Sequence, residues 1–292
     1  MRATALALVG VVTLAPGQRT AAHPAQAIKE LTAQLTAADP TARAKAACEL
    51  ATRGDEAADA IQPLIALLAD PSPVQAPVCD RRWWRGGSND ETTPGEQAAG
   101  ALVSIGTRAF QPLMDALRTP AWVTRRNAVW ALGALDDRRA VSAVLETLKD
   151  REPPVREQSA WALGALDDTG AVPAVIAALK DEDSRVRRQA AWALGALDDS
   201  RAVVPLTAAL SDSDDRTREQ AAWALGAIDD ERAVDPLVRA LSDKSSGVRQ
   251  QAAWALGAIG DSRALPGLLP SLKDSDAGVR RQAAWAIGAI GK

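Results

Sequence analysis

Few residues in this chain could carry covalent chemistry. Its 292 residues include a single histidine, His23, and two cysteines, Cys48 and Cys79. Histidine is the side chain most often recruited for proton transfer near neutral pH. Its absence after position 23 argues against most hydrolytic and metal-dependent mechanisms, and no cofactor is expected. The cysteines stand in no metal-binding spacing and in no C-x-x-C pair. What the sequence offers instead is recognition chemistry. Arg81, Arg82, Trp83, Trp84 and Arg85 form one run, and Trp and Arg are enriched at binding hot spots. A second set is periodic. Trp130, Trp161, Trp192, Trp223, Trp254 and Trp285 each sit in W-A-[LI]-G-A, 31 residues apart. Five residues before them stand Arg125, Arg156, Arg187, Arg218, Arg249 and Arg280.

The same period runs through everything around these residues. A Gly follows each Trp by three positions, from Gly133 to Gly288, and a Leu follows the first five by eighteen, from Leu148 to Leu272. Asp-Asp closes the first half of four units, and Gly260-Asp261 replaces it in the next. Each unit reads as two helices, in one unit about 184–197 and 201–210, joined by the Asp-Asp turn. Pro173, Pro205, Pro236 and Pro266 fall in the first turn of the second helix, where a missing N–H costs little. Pro270 lies deeper and is expected to kink its helix. Nothing alternates with period two, so no sheet is expected. Weaker units lie upstream, with Cys48 and Ala99 in the Trp position. The array is a half unit, seven units and a half unit over residues 28–292, an all-α solenoid of antiparallel helix pairs.

The segment VRRQAAWALGALDDSRAVVPL, Val186 to Leu206, resembles the HEAT repeat family in its short bacterial form, the PBS-lyase-like HEAT repeats. The resemblance rests on V-R-x-x-A-A-x-A-L-G followed by D-x-R-A-V-x-P-L, recurring in register. It implies an α-solenoid, an Arg–Asp ladder, second helices lining the concave face, and a scaffold that engages another protein. HEAT-like relatives also include factors for phycobilin attachment, an iron-dependent deoxyhypusine hydroxylase and DNA glycosylases. An accessory or chaperone subunit of the phycobilin lyase type, or a regulatory HEAT domain beside an enzyme, is therefore an alternative. The hydroxylase carry-over fails, because its metal-binding His-Glu pairs have no counterpart here. No lyase motif is matched either. Nucleic acid is not an expected partner: Lys+Arg is 34 against Asp+Glu 37, and the acids interleave with the arginines.

Both ladders admit two readings. On a helical wheel Val186, Ala190, Ala193, Leu194 and Leu197 share one apolar stripe, and Trp192 points away from it. Each Trp either lies across the next unit's first helix, with the Gly giving room for the ring, or lines an outer face that binds sugars, peptides or aromatic ligands. Packing is favoured, because six aligned indoles left open would invite association. The arginines form either an anion-binding strip or, as favoured here, pairs with the Asp-Asp turns.

One stretch breaks the register. Leu68 to Ala99 spans 31 residues where Leu179 to Trp192 spans 13, so residues 70–94 contain a loop insertion. It carries the Arg81–Arg85 run, which either presents a recognition loop or folds over the N-terminal end of the array. Thr93, Pro94 and Glu96 fit the N-cap, N1 and N3 of a capping box closing it. Residues 1–27 read as an export signal: Arg2, the apolar run Ala3–Ala15, and small residues before Ile28. The run is too short to span a membrane. A periplasmic or secreted location follows, and with it a Cys48–Cys79 disulfide pinning the loop. Finally, the apolar stripe of residues 279–290 has no following helix, so homodimerisation or docking of another protein is expected there.

Overall fold

The computed structural model describes residues 24–75, 77–78 and 91–291. The apolar run near the N-terminus, Cys79 and the Arg81–Arg85 run lie outside them. Seven helix pairs follow one another. Their first helices are α2 (Pro40–Ala51), α4 (Pro94–Ile105), α6 (Trp122–Ala134), α8 (Pro153–Ala165), α10 (Ser184–Ala196), α12 (Asp215–Ile228) and α14 (Ser246–Ile259). Their second helices are α3 (Ile61–Leu67), α5 (Phe110–Ala116), α7 (Val141–Thr147), α9 (Val172–Ala178), α11 (Val203–Ala209), α13 (Val234–Ala240) and α15 (Leu265–Ser271). α1 (Pro24–Gln34) precedes the pairs and runs through the expected cleavage position before Ile28, and α16 (Ala277–Ile290) follows them. The fold is an all-α solenoid. Among the described residues, no helix is long and apolar enough to cross a membrane.

The local signals explain the element ends. Asp39, Asp183, Asp214 and Asp276 cap first helices by accepting from first-turn N–H groups. At the other end the chain turns through one left-handed residue, Asp136, Asp167, Asp198 or Asp229, with φ between 47 and 54°. Gly260 takes that place with φ 71°, which is why the Asp-Asp motif becomes Gly-Asp there: Asp tolerates this region and Gly enters it freely. The second Asp then starts a single 3-10 turn. Asp137, Asp199, Asp230 and Asp261 each accept from the N–H two residues on and bind the side chain of that same Arg. Arg201 and Arg232 also reach back to Thr169 O and Ser200 O of the preceding unit.

The core is a continuous stripe of Ala, Val and Leu. Val186, Ala190, Ala193 and Leu194 are fully buried and Leu197 nearly so, as the helical wheel requires. Each buried Leu contributes about 1.5–3 kcal/mol. Small Ala side chains let neighbouring first helices touch along their length, whereas second helices meet at few points. Pro270 does lie inside α15. One expectation is corrected. A two-residue antiparallel ribbon, Val74–Gln75 against Glu91–Thr92, clasps the base of the insertion. A pairing this short carries no period-two signal, so it was invisible in the sequence. The capping box of Thr93 and Glu96 closes the insertion, and Gln97 donates to Thr92 Oγ1 at 2.9 Å.

Candidate functional site

The arginines form a ladder, but with different acids from those expected. Arg125, Arg156, Arg187, Arg218 and Arg249 grip Asp150, Asp181, Asp212, Asp243 and Asp274, each through Nε and Nη2, at 2.6–2.9 Å. These aspartates lie 25 residues on, in the turn that links units, not in the Asp-Asp turn. The reason is the antiparallel pairing. The start of a first helix lies beside the end of its own second helix, while the Asp-Asp turn lies at the far end. Nη1 of each Arg turns the other way. Arg156 Nη1 donates to Asp150 O at 2.9 Å, and Arg218 Nη1 to Asp212 O at 2.9 Å. Every ladder Asp thus holds one Arg by its carboxylate and the next by its carbonyl.

Burial pushes the Asp243 carboxyl up, but the Arg218 hydrogen bond, the Ser245 N–H and the Arg218 charge outweigh it and leave it below its ordinary value. With their donors engaged on protein oxygens, these five guanidiniums do not form an open anion strip. Arg280 has only carbonyl partners, Asp274 O and Ser275 O, among the described residues. Sequence reasoning missed one rung: Arg43 binds Asp70 at 2.7 Å. Its signal was present, because Arg43 stands five residues before Cys48. The unit of α4 lacks both partners, with Pro94 and Thr119 in the Arg and Asp positions.

The indoles wedge between first helices. A Cβ on Gly133, Gly164, Gly195, Gly226 or Gly257 would meet Cζ3 of Trp161, Trp192, Trp223, Trp254 or Trp285 at 2.6–3.0 Å. The ring therefore reaches back onto the preceding unit, opposite to the expected direction, and fills the hole its Gly leaves there. Trp130, Trp161, Trp192, Trp223 and Trp254 are half-buried, so each keeps an accessible part. Trp285 is 48 % exposed. Trp130 and Trp161 stack with centroids 6.4 Å apart and planes 14° from parallel.

Close first-helix contact beside sparse second-helix contact also corrects the expected curvature. A stack spaced more tightly on one side bends toward that side, so the first helices lie inside the curve. The second helices face outward, where Val204 is 69 % and Leu269 55 % exposed. Cys48 is fully buried and disulfide-bonded. In α16, Val279, Ala283 and Ala286 are buried while Ile287 and Ile290 are half-buried. Among the described residues, no group of three or more His, Cys, Asp or Glu is placed to hold a metal ion.

The repeats, their turns and their ladders define a class of helical repeat protein. The HEAT repeat model matches residues 95–152, 141–226 and 203–288, and the chain belongs to that family. No curated protein matches. Solved structures of similar fold include YibA of E. coli, 22 % identical with TM-score 0.61, covering 94 % of this chain and all of that one. Yeast importin-beta (Kap95p) is 15 % identical with TM-score 0.65, covering 89 % of this chain and 41 % of its own. A designed armadillo repeat protein in complex with the peptide (KR)4 is 20 % identical with TM-score 0.50, covering 62 % of this chain and 99 % of its own.

Proposed function

We propose that this protein is an exported, non-enzymatic scaffold that binds another protein along its repeated surface. The observation that supports this is the contrast between its inside and its outside. Internal ties repeat in register, Arg to Asp and Trp to Gly, and hold the units rigidly. Outward positions change from unit to unit, as with Glu146, Ala177, Ala208 and Arg239 on the second helices. A constant frame under a varied surface suits recognition. The armadillo protein solved with (KR)4 is a precedent for such an array as a receptor. The Arg81–Arg85 run would add a recognition loop, pinned by a Cys48–Cys79 disulfide formed after export.

Photo-crosslinking tests the scaffold reading. A photoreactive residue is placed at Gln189 on the first-helix side and at Val204 on the second-helix side of the full chain. A crosslinked protein that rebinds saturably as a purified partner supports the reading. No adduct from either position overturns it.

A further inference from the structure

The outward residues of the second helices change from unit to unit, and across four units they change in an ordered way. One position on α7, α9, α11 and α13 carries Glu146, Ala177, Ala208 and Arg239. The position four residues earlier, on the same side of each helix, carries Ser142, Pro173, Val204 and Asp235. All eight are exposed, Val204 at 69 %. The two central helices therefore leave an uncharged, apolar patch open to solvent, of the kind that marks an interaction surface. At the first of these positions an acid stands on one side of the patch and a base on the other. Glu146 meets only Lys149, three residues on, at 3.2 Å, and Arg239 meets no acid among the described residues.

This pattern is its own complement. Second helices lie side by side and run in one direction. A two-fold axis parallel to them, passing between α9 and α11 at the outer surface, sets a second copy face to face with the helix order reversed. Glu146 of each copy then faces Arg239 of the other, Ala177 faces Ala208, and Pro173 faces Val204. In the turn beyond each helix, Lys149 and Lys180 face Ser242 and Ser211, so like charges do not meet there.

The register is selective. Moved to α9, the same axis would set Lys180 on Lys180. Moved to α11, it would press Arg239 onto Ala177. An axis along the array would lay each second helix on its own copy and keep Glu146 and Arg239 apart. Curvature favours the first arrangement too. Two outward-bulging faces touch at the middle and part on either side, so short side chains belong at the centre and long ones at the flanks. We propose that this protein forms a two-fold dimer through the outer faces of α9 and α11, with reciprocal Glu146–Arg239 ion pairs closing the contact on both sides. This goes beyond the scaffold reading and leaves the first-helix side free for another protein.

Sedimentation velocity of the full chain tests the dimer. The parent should be mainly dimeric by about 100 µM. Glu146→Arg and Arg239→Glu, each alone, put like charges on both sides of the axis and should weaken the dimer roughly tenfold or more. An equal mixture of the two variants should regain it, because one copy then carries both cations and the other both anions. That recovery is not open to a variant that merely misfolds. Val204→Asp should also abolish the dimer, since it sets an unpaired carboxylate against Pro173. A monomeric parent, a dimer that all three variants leave unchanged, or a mixture that associates no better than its components overturns the proposal. A monomeric chain that crosslinks a different protein at Val204 overturns it as well, while leaving the scaffold reading intact.

Discussion

Trp254 Cζ3 lies 2.8 Å from the point where a Cβ on Gly226 would stand, and Ala255 Cα lies 2.6 Å from it. Inside a helix, Gly→Ala normally stabilises by about 1 kcal/mol. Here the added methyl would push two packed helices apart, an overpacking cost of about 1–3 kcal/mol. Gly226→Ala should therefore lower the melting temperature by several degrees. Gly288 holds the same place in α16 and has nothing within 4 Å, so Gly288→Ala should raise stability. Thermal unfolding followed by circular dichroism compares the two, and equal signs would refute the wedge.

Removing one rung of the Arg–Asp ladder should uncouple neighbouring units. Arg218 is 4 % exposed and holds Asp243 in a two-point grip. Arg218→Ala leaves the Asp243 carboxylate largely enclosed, with only the Ser245 N–H still directed at it. Breaking a buried pair this way costs about 3–5 kcal/mol. Arg218→Lys should recover only part, because an ammonium cannot make the fork. Hydrogen exchange should show α12 and α14 losing protection first. Uniform loss along the array would contradict a nearest-neighbour role.

The period and the helix-pair architecture were legible because W-A-[LI]-G-A and D-x-R-A-V recur in register, so every unit votes for the same phase. The acid partner was not. Arg156 has aspartates at 167, 168 and 181, and sequence distance favours the wrong pair. Only the antiparallel return of α9 brings Asp181 beside it. The direction of the indoles depended likewise on how adjacent units stack.

The turn after each first helix makes its own prediction. Asp229 sits at φ 54° in the place where Gly260 sits at φ 71°. Asp229→Gly should be neutral or stabilising, since Gly enters the left-handed region freely. Asp229→Val should lose about 1–2 kcal/mol, because a Cβ-branched residue resists it. Chemical denaturation of the two variants checks this, and the opposite order would show that the carboxylate rather than the backbone matters.

Acid should dismantle the ladders in a defined window. The Arg201 hydrogen bond holds the Asp199 carboxyl at about 2, the Arg232 hydrogen bond holds Asp230 at about 2, and Arg249 holds Asp274 at about 2. Each is lower folded than unfolded, so the stability it contributes is complete above about pH 4 and disappears as pH falls toward 2. The melting temperature should be flat between about pH 5 and 8 as far as these carboxylates act, then fall steeply below 4. Arg232→Ala should flatten that fall. A decline already under way at pH 6 would point to other groups.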